Sequence, residues 1–436
     1  MIGSIRRRRW LFVFGFVILP LFMGGALLFA AQGGFEAFRV PTVPTAPVMT
    51  TPQVIAQGEY LARLGNCITC HTTRGGAPYA GGRAFNSAYG TLYSTNITPD
   101  PETGIGDWSI DEFRHTLRHG VSRHGPLYPA FPFANFNRLS EPDIDALFAF
   151  LKTVPAIDSP ARANRLGFPA NLRSAMVAWR MLHHRPRPLL ADTSQSAAWN
   201  RGRYLVDGVG HCDQCHSGRG SQASLPPELY MAGGRIPGQD WYAPPLNQSA
   251  LDRWNTESLA TYLRRGTATQ GSAYGPMAEV IHVSLQHLTP DDAVSMATYL
   301  KTIPARPRPV EIDTRQTRVN AASQASNVSG LTLYRDHCES CHKADGRGRD
   351  LDYPPLAGNP LVTSVDPVNA VRLVLHGGIA PSTALNPRPY SMPSFADRLN
   401  DEEVAAVVNH IRTSWSNSGN AVSLDEVRAM RRLRVD

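Results

Sequence analysis

All six cysteines of the chain fall in three copies of one five-residue pattern: Cys67-Ile68-Thr69-Cys70-His71, Cys212-Asp213-Gln214-Cys215-His216 and Cys338-Glu339-Ser340-Cys341-His342. Two thiols one helical turn apart can form thioethers with the two vinyl groups of a haem, and the adjacent histidine can reach the iron as an axial ligand. Zinc knuckles and redox-active Cys-x-x-Cys pairs are the competing readings. A zinc site would take four ligands from neighbouring pairs, and these pairs stand more than a hundred residues apart. No cysteine remains for an iron–sulfur cluster or a disulfide. The spacing predicts three covalently bound haem c groups, with His71, His216 and His342 as proximal ligands.

Electron-transfer haems take a sixth ligand from a downstream loop, and a Met thioether there raises the reduction potential. Met392, followed by Pro393 and eight residues before Asn400, is the candidate in the third unit, and Met277, in Gly275-Pro276-Met277, is the candidate in the second. Between Cys67 and Leu166 there is no methionine. The register that offers Met392-Pro393 offers Phe131-Pro132 in the first unit, and phenylalanine cannot ligate iron. Haem one is then five-coordinate or bound by His115, His119 or His124; His124, in the glycine-flanked loop before Phe131, is the expected ligand. Arg83 and Arg235, at the same place in a repeated Ala-Gly-Gly-Arg, are candidate bidentate partners of haem propionates, with plain surface charge as the alternative.

Three similar units must position these groups. Gly58-Glu59-Tyr60-Leu61, Gly202-Arg203-Tyr204-Leu205 and Gly330-Leu331-Thr332-Leu333, each eight to ten residues before the first cysteine, mark a short helix that the haem motif closes. Middle helices are expected near 108–119, 255–265 and 367–376. Ser140, Thr289 and Asn400 each stand three residues before an acid, the start of a capped closing helix. Those closing helices are expected to bury Ile144, Leu147, Phe148 and Leu151, then Val294, Ala297 and Leu300, then Val404, Val407, Val408 and Ile411. A prolyl carbonyl in Tyr242-Ala243-Pro244-Pro245 and in Tyr353-Pro354-Pro355 is placed to accept the proximal histidine Nδ1–H, with plain loop rigidity as the alternative role of these prolines. The fold class is all-α: three tandem cytochrome c-like domains with an N-terminal membrane anchor. Expected boundaries are an anchor or signal segment over 1–40, unit one over 45–158, a linker with a short helix over 159–198, unit two over 199–305, a linker over 306–325, unit three over 326–418 and a basic, solvated tail over 419–436.

The chain has 436 residues, of which 42% are hydrophobic and 18% charged, with 36 glycines and 35 prolines. That balance excludes a mainly disordered chain and favours short helices joined by ordered loop. The formal charge of +7 is spread among acids, so no nucleic-acid stripe stands out. Arg6 to Arg9 precede an uncharged apolar run from Trp10 to Ala31, about 33 Å as a helix, with bulky residues where a signal cleavage site needs small ones. An uncleaved anchor is expected, with the arginines cytoplasmic and everything after Phe38 at the periplasmic face of a bacterial inner membrane.

The order of one anchor and three haem motifs, with Tyr93-Ser94-Thr95-Asn96-Ile97-Thr98-Pro99-Asp100, Thr103-Gly104-Ile105-Gly106, Leu127-Tyr128-Pro129-Ala130 and Trp241-Tyr242-Ala243-Pro244, resembles the triple-haem cytochrome c subunit of bacterial membrane-bound dehydrogenases. The resemblance covers roughly residues 50 to 415. It implies an electron-transfer subunit that takes electrons from a catalytic partner and passes them to ubiquinone. The alcohol and gluconate branches of the family look like Leu-Tyr-Pro-Ala-Met-Pro at the first sixth-ligand loop. Leu127 to Pro132, with Phe131, is instead similar to the cytochromes that accompany molybdenum hydroxylases such as membrane-bound aldehyde dehydrogenase, with a small iron–sulfur subunit as a further partner. The alternatives are a cytochrome of an alcohol or gluconate dehydrogenase and, in another class, a multihaem peroxidase-like enzyme that uses an open haem one.

Overall fold

The computed structural model describes residues 40–41, 48–184, 189–220, 224–305 and 329–433. The apolar run Trp10–Ala31, the linker 306–325 and the dipeptide repeat Arg185 to Pro188 lie outside them. Among the described residues no helix is long and apolar enough to cross a membrane.

Each unit is built on an opening helix, a haem-motif turn, a middle helix and a closing helix. In unit one these are Pro52–Leu64, Cys67–Cys70, Ile110–His119 and Glu141–Leu151. In unit two the opening helix Ala197–Tyr204 runs on into Leu205–Val209, followed by Asp213–His216, Thr256–Arg265 and Pro290–Leu300. In unit three they are Gly330–His337, Glu339–His342, Val368–His376 and Asp401–Thr413. The expected caps are in place: Ser140 accepts from the Asp143 N–H, Thr289 from that of Asp292 and Asn400 from that of Glu403. Each satisfies a backbone donor that the first helical turn leaves unpaired.

The repeated glycine of the opening helix has a steric cause. A Cβ on Gly58 would stand 1.9 Å from the Ala146 carbonyl oxygen, one on Gly202 1.9 Å from that of Ser295, and one on Gly330 2.3 Å from that of Ala406. Opening and closing helices therefore cross backbone to backbone, and only a residue without a side chain fits. Around each crossing the expected apolar stripe is buried, with Leu61 and Ile144 fully enclosed in unit one and Val404, Val407 and Val408 in unit three. Val294 is a correction: it is 42% exposed, because Ala293, Met296, Ala297 and Leu300 form the inward stripe.

The all-α expectation needs correcting too. Short antiparallel ribbons join the helices, among them Ala84–Ser87 with Gly90–Tyr93 and Arg165–Leu166, and Gly234–Ile236 with Trp241–Ala243. After the middle helices Gly120 (φ 60°) and Gly266 (φ 84°) turn the chain into two-residue hairpins, Val121–Ser122 with Gly125–Pro126 and Thr267–Ala268 with Gly271–Ser272. Pairings two to four residues long leave no alternating hydrophobic pattern to read.

Units one and two share one continuous apolar core, while unit three has its own. The two-unit contact is pseudo-symmetric. The Tyr60 hydroxyl of unit one donates to Asp292 of unit two at 2.6 Å, and its counterpart Tyr204 donates to Asp143 of unit one. The tail expected to be solvated instead docks on unit three. Its helix Leu424–Arg431 buries Val427, and Arg431 donates to Asp401 and to the Ala396 and Leu399 carbonyls.

Candidate haem centres

The three motif turns are locally alike. His71 N–H donates to the Cys67 carbonyl at 2.9 Å, His216 to Cys212 at 3.0 Å and His342 to Cys338 at 2.9 Å, so each motif closes one helical turn, with its two cysteines three residues apart and the histidine directly after the second. All six cysteines are free of disulfides. Burial pushes the Cys67 thiol up to about 12 and those of Cys70 and Cys338 up to about 11. A redox-active Cys-x-x-Cys depends on a depressed thiol, so these surroundings oppose that reading.

Each proximal imidazole is held by a carbonyl. His71 Nδ1 meets the Thr95 oxygen at 2.7 Å, His216 Nδ1 that of Pro244 at 2.7 Å, and His342 Nδ1 that of Pro354 at 2.9 Å. The prolyl carbonyls expected in units two and three are the ones used. In unit one Thr95 does the same work, a residue the sequence reading did not single out as an acceptor because Thr95-Asn96 follows the tyrosine where the other units have a Pro-Pro pair. Since a carbonyl only accepts, Nδ1 carries the proton and Nε2 keeps its lone pair. Burial holds all three imidazoles below the usual histidine range and therefore neutral, which is the ligating form.

After the middle helices, backbone hydrogen bonds fix the register of the loops. Leu127 N–H donates to Gly120 and Ala273 N–H to Gly266, each at 2.8 Å, and four residues further on stand Phe131 and Met277. Both pack partly buried against the shared core, Phe131 with its ring 5.3 Å from Phe136. Met392 lies in a ribbon opposite Gly378 and packs against the core of unit three. Thioether-forming thiols, neutral imidazoles with fixed tautomers and, in two units, a thioether on a neighbouring loop form a donor set that fits haem c. Cys67, Cys70 and His71 would hold the first group, Cys212, Cys215 and His216 the second, and Cys338, Cys341 and His342 the third. A bound haem supplies one-electron chemistry; the chain supplies ligands, orientation and electrostatics.

A family model for cytochrome c matches residues 328–415. The chain is 38% identical over 393 residues to the cytochrome c subunit of a quinone-dependent alcohol dehydrogenase from Gluconobacter oxydans, covering 87% of this chain and 82% of that one. It is 37% identical to the gluconate 2-dehydrogenase cytochrome c subunit of Pantoea cypripedii, with 87% and 90% covered. It is 34% identical to the fructose dehydrogenase cytochrome subunit of Gluconobacter japonicus, with 90% and 85% covered. The chain belongs to the cytochrome c subunits of membrane-bound dehydrogenases.

In this cytochrome subunit the repeated arginines reach across unit boundaries. Arg83 donates to the Thr69 carbonyl at 2.9 Å and pairs with Glu279 of unit two at 3.0 Å, two residues from Met277. Arg235 pairs with Asp366 of unit three at 2.5 Å. Each guanidinium considered for a propionate is thus engaged by a carboxylate of the next unit. Glu279 and Asp366 carry no local motif, and only the fold brings them into reach.

The histidines of unit one separate into two places. His124 is exposed at the tip of the hairpin, its ring 6.4 Å from Trp108, so the structure does not bring it over the buried side of the loop that holds Phe131. His115 and His119 stack at 4.6 Å on the inward side of the middle helix. Burial first, then the charges of His115 and Arg180, push His119 down to about 4, and His119 Nδ1 is buried without a hydrogen-bond partner. His184, from the linker, is pushed down to about 3 by burial and then by Arg180. His183 is exposed, and its ring lies 5.1 Å from that of Trp179.

Beside the second motif turn lies a polar group that the sequence reading missed. Asp213, between the two cysteines, is 8% exposed and accepts from Asn135 Nδ2 at 2.7 Å. Burial raises its carboxyl to about 6, against the pull of Asn135, Arg138 and Arg219. Asp207 is also raised by burial, and it accepts from the hydroxyls of Tyr230 and Tyr299. Asp207 sits in a π-turn, Leu205–Val209, which absorbs the one extra residue between Gly202 and Cys212 relative to Gly58 and Cys67. That extra residue is the signal the spacing offered.

Proposed function

We propose that this chain carries three covalent haems and is the electron-transfer subunit of a dehydrogenase at the periplasmic face of a bacterial inner membrane, passing electrons from a catalytic subunit to ubiquinone. The observation that carries the reading is the threefold repetition of one site: two cysteines and a neutral imidazole with Nδ1 on a carbonyl. Units one and two share one continuous apolar core, which holds their two centres in a fixed relation and favours exchange between them. Met277 and Met392 serve as sixth ligands in units two and three.

The partner favoured is an aldehyde-oxidising dehydrogenase with a small iron–sulfur subunit, because Phe131 stands where Met277 stands in unit two. The chain is also 37% identical to one subunit of the nicotinate dehydrogenase of Pseudomonas putida, over 94% of this chain and 34% of that one. Purification from membranes tests the proposal: the mature chain should carry three haem additions by mass spectrometry, and the copurifying chain and its cofactor should be those of an aldehyde dehydrogenase. Fewer than three additions after correct export would refute the haem count, and a quinoprotein or flavoprotein partner would refute the aldehyde assignment. The Phe131 register also favours a second reading, an open haem one that turns over small molecules. Hydrogen peroxide consumption by the purified chain would support it, and its absence would remove it.

A further inference from the structure

The segment between units one and two has an unusual surface. From Ser159 to Ala191 the sequence holds six arginines and no Asp or Glu. Its helix, Arg173–His183, turns Met176 and Arg180 inward, the guanidinium of Arg180 lying 5.2 Å from the Phe133 ring centre. The outer side carries Leu172, Met181 and Leu182, exposed by 47%, 38% and 69%, with Phe168 (82%) before the helix and Leu190 (76%) after it. Five of the thirteen large apolar side chains exposed among the described residues thus fall within 23 positions. Arg162, Arg165 and Arg173 are exposed on the same segment. Arg173 fastens the helix to unit one by donating to the His124 and Pro126 carbonyls at 2.7 and 3.3 Å.

Large apolar side chains beside arginines, with no acid among them, match the boundary of a bilayer whose headgroups are anionic: apolar groups enter the acyl region while guanidinium groups stay with phosphate. The chain's own path agrees. Val48 packs against the core shared by units one and two, four residues before the first helix of unit one, so the N-terminal segment joins the molecule at the unit to which the linker helix is fastened. The seventeen residue steps from Ala31 to Val48 span at most about 60 Å when extended, enough to bring the apolar run Trp10–Ala31 and the linker helix to one membrane plane.

We propose that Phe168, the helix Arg173–His183 and Leu190 form a membrane-surface element that lays unit one on a bilayer containing anionic phospholipid and so fixes the orientation of the haem units. The inference rests on the membrane location proposed above. It is tested on the full, haem-loaded chain carrying a nitroxide at Leu182→Cys, with Leu331→Cys on unit three as the reference, in vesicles of phosphatidylglycerol and phosphatidylethanolamine or of phosphatidylcholine alone. In the anionic vesicles the Leu182 label should lose collisions with an aqueous nickel chelate several-fold and gain them with oxygen, while the Leu331 label stays aqueous. Replacing Arg162 and Arg165 with Gln should reduce immersion about five-fold per arginine, which corresponds to roughly 1 kcal/mol each. In the unlabelled chain, backbone amides of residues 173–183 should exchange more slowly on anionic vesicles.

Equal nickel access at both labels on a chain held to vesicles by its N-terminal segment overturns the proposal and leaves the anchor standing. Immersion at Leu182 in a chain whose N-terminal segment has been cleaved sustains the proposal and overturns the anchor. Protection of Leu182 that appears only in the complete dehydrogenase, and not on vesicles, makes the face a protein interface and overturns the proposal.

Discussion

Asp213→Asn should stabilise this cytochrome at neutral pH and leave it unchanged in acid. Asp213 lies between Cys212 and Cys215 of the second motif, nearly enclosed, with its carboxyl raised to about 6 by burial. An aspartate in the unfolded chain titrates near 3.8, so between about pH 4 and 6 the native state binds more protons than the unfolded state. Stability from this group is therefore present below 3.8, falls as pH rises through 6, and stays reduced above it. A shift of about two units at 1.36 kcal/mol each makes the penalty about 3 kcal/mol. Asparagine keeps an acceptor for Asn135 Nδ2 and has no charge to desolvate. The assay is guanidinium unfolding of wild type and variant at pH 4, 5, 6 and 7.5, followed by far-ultraviolet circular dichroism. The difference in stability should be near zero at pH 4 and approach 3 kcal/mol at pH 7.5. A difference that is flat with pH, or that favours the wild type at pH 7.5, would mean that Arg138 and Arg219 hold a fully ionised carboxylate and that the desolvation argument is wrong. Asp207→Asn should lower the Asp213 midpoint, because the two carboxylates repel each other.

Gly202→Ala places a Cβ 1.9 Å from the Ser295 carbonyl and should cost at least 3 kcal/mol or prevent folding, whereas Gly76→Ala presses mainly on the Thr73 side-chain methyl and should cost about 1 kcal/mol; thermal unfolding of the two variants compares them. Cys338→Ala with Cys341→Ala should remove one haem and leave two, since unit three has its own core; a haem count by mass spectrometry that falls by more than one would show that the units assemble together. Met392→His should lower one midpoint potential in a spectroelectrochemical titration, because a thioether favours ferrous iron over a second imidazole. His124→Ala should leave the low-temperature spin resonance of haem one unchanged, given its exposed position, and a low-spin signal that converted to high-spin would restore His124 as the ligand.

The candidate haem motifs were legible because the chemistry they would perform is local: thioether formation needs two thiols a turn apart and the ligand beside them, so Cys67, Cys70 and His71 announce one another. Capped closing helices were legible for the same reason, since Ser140 and Asp143 interact within one turn. Val294 was misplaced because a helical stripe shifted by one residue, through Ala293, looks equally periodic until the partner helix is known. The ribbons around Gly120 and Gly266 escaped because a pair of two-residue strands has no period. What only the tertiary structure decided is which distant groups meet. Tyr60 with Asp292 and Tyr204 with Asp143 form a pseudo-symmetric contact between units one and two that no spacing encodes. Arg83 and Arg235 read in sequence as free cations near haem, yet folding brings Glu279 and Asp366 to them. Whether Asp213 is an ordinary surface acid or a buried one depends on Asn135 and Arg138 packing over it from another unit. Local covalent chemistry and helix caps are written in neighbouring residues; burial, ion pairing and the pKa values that follow from them are properties of the packed units.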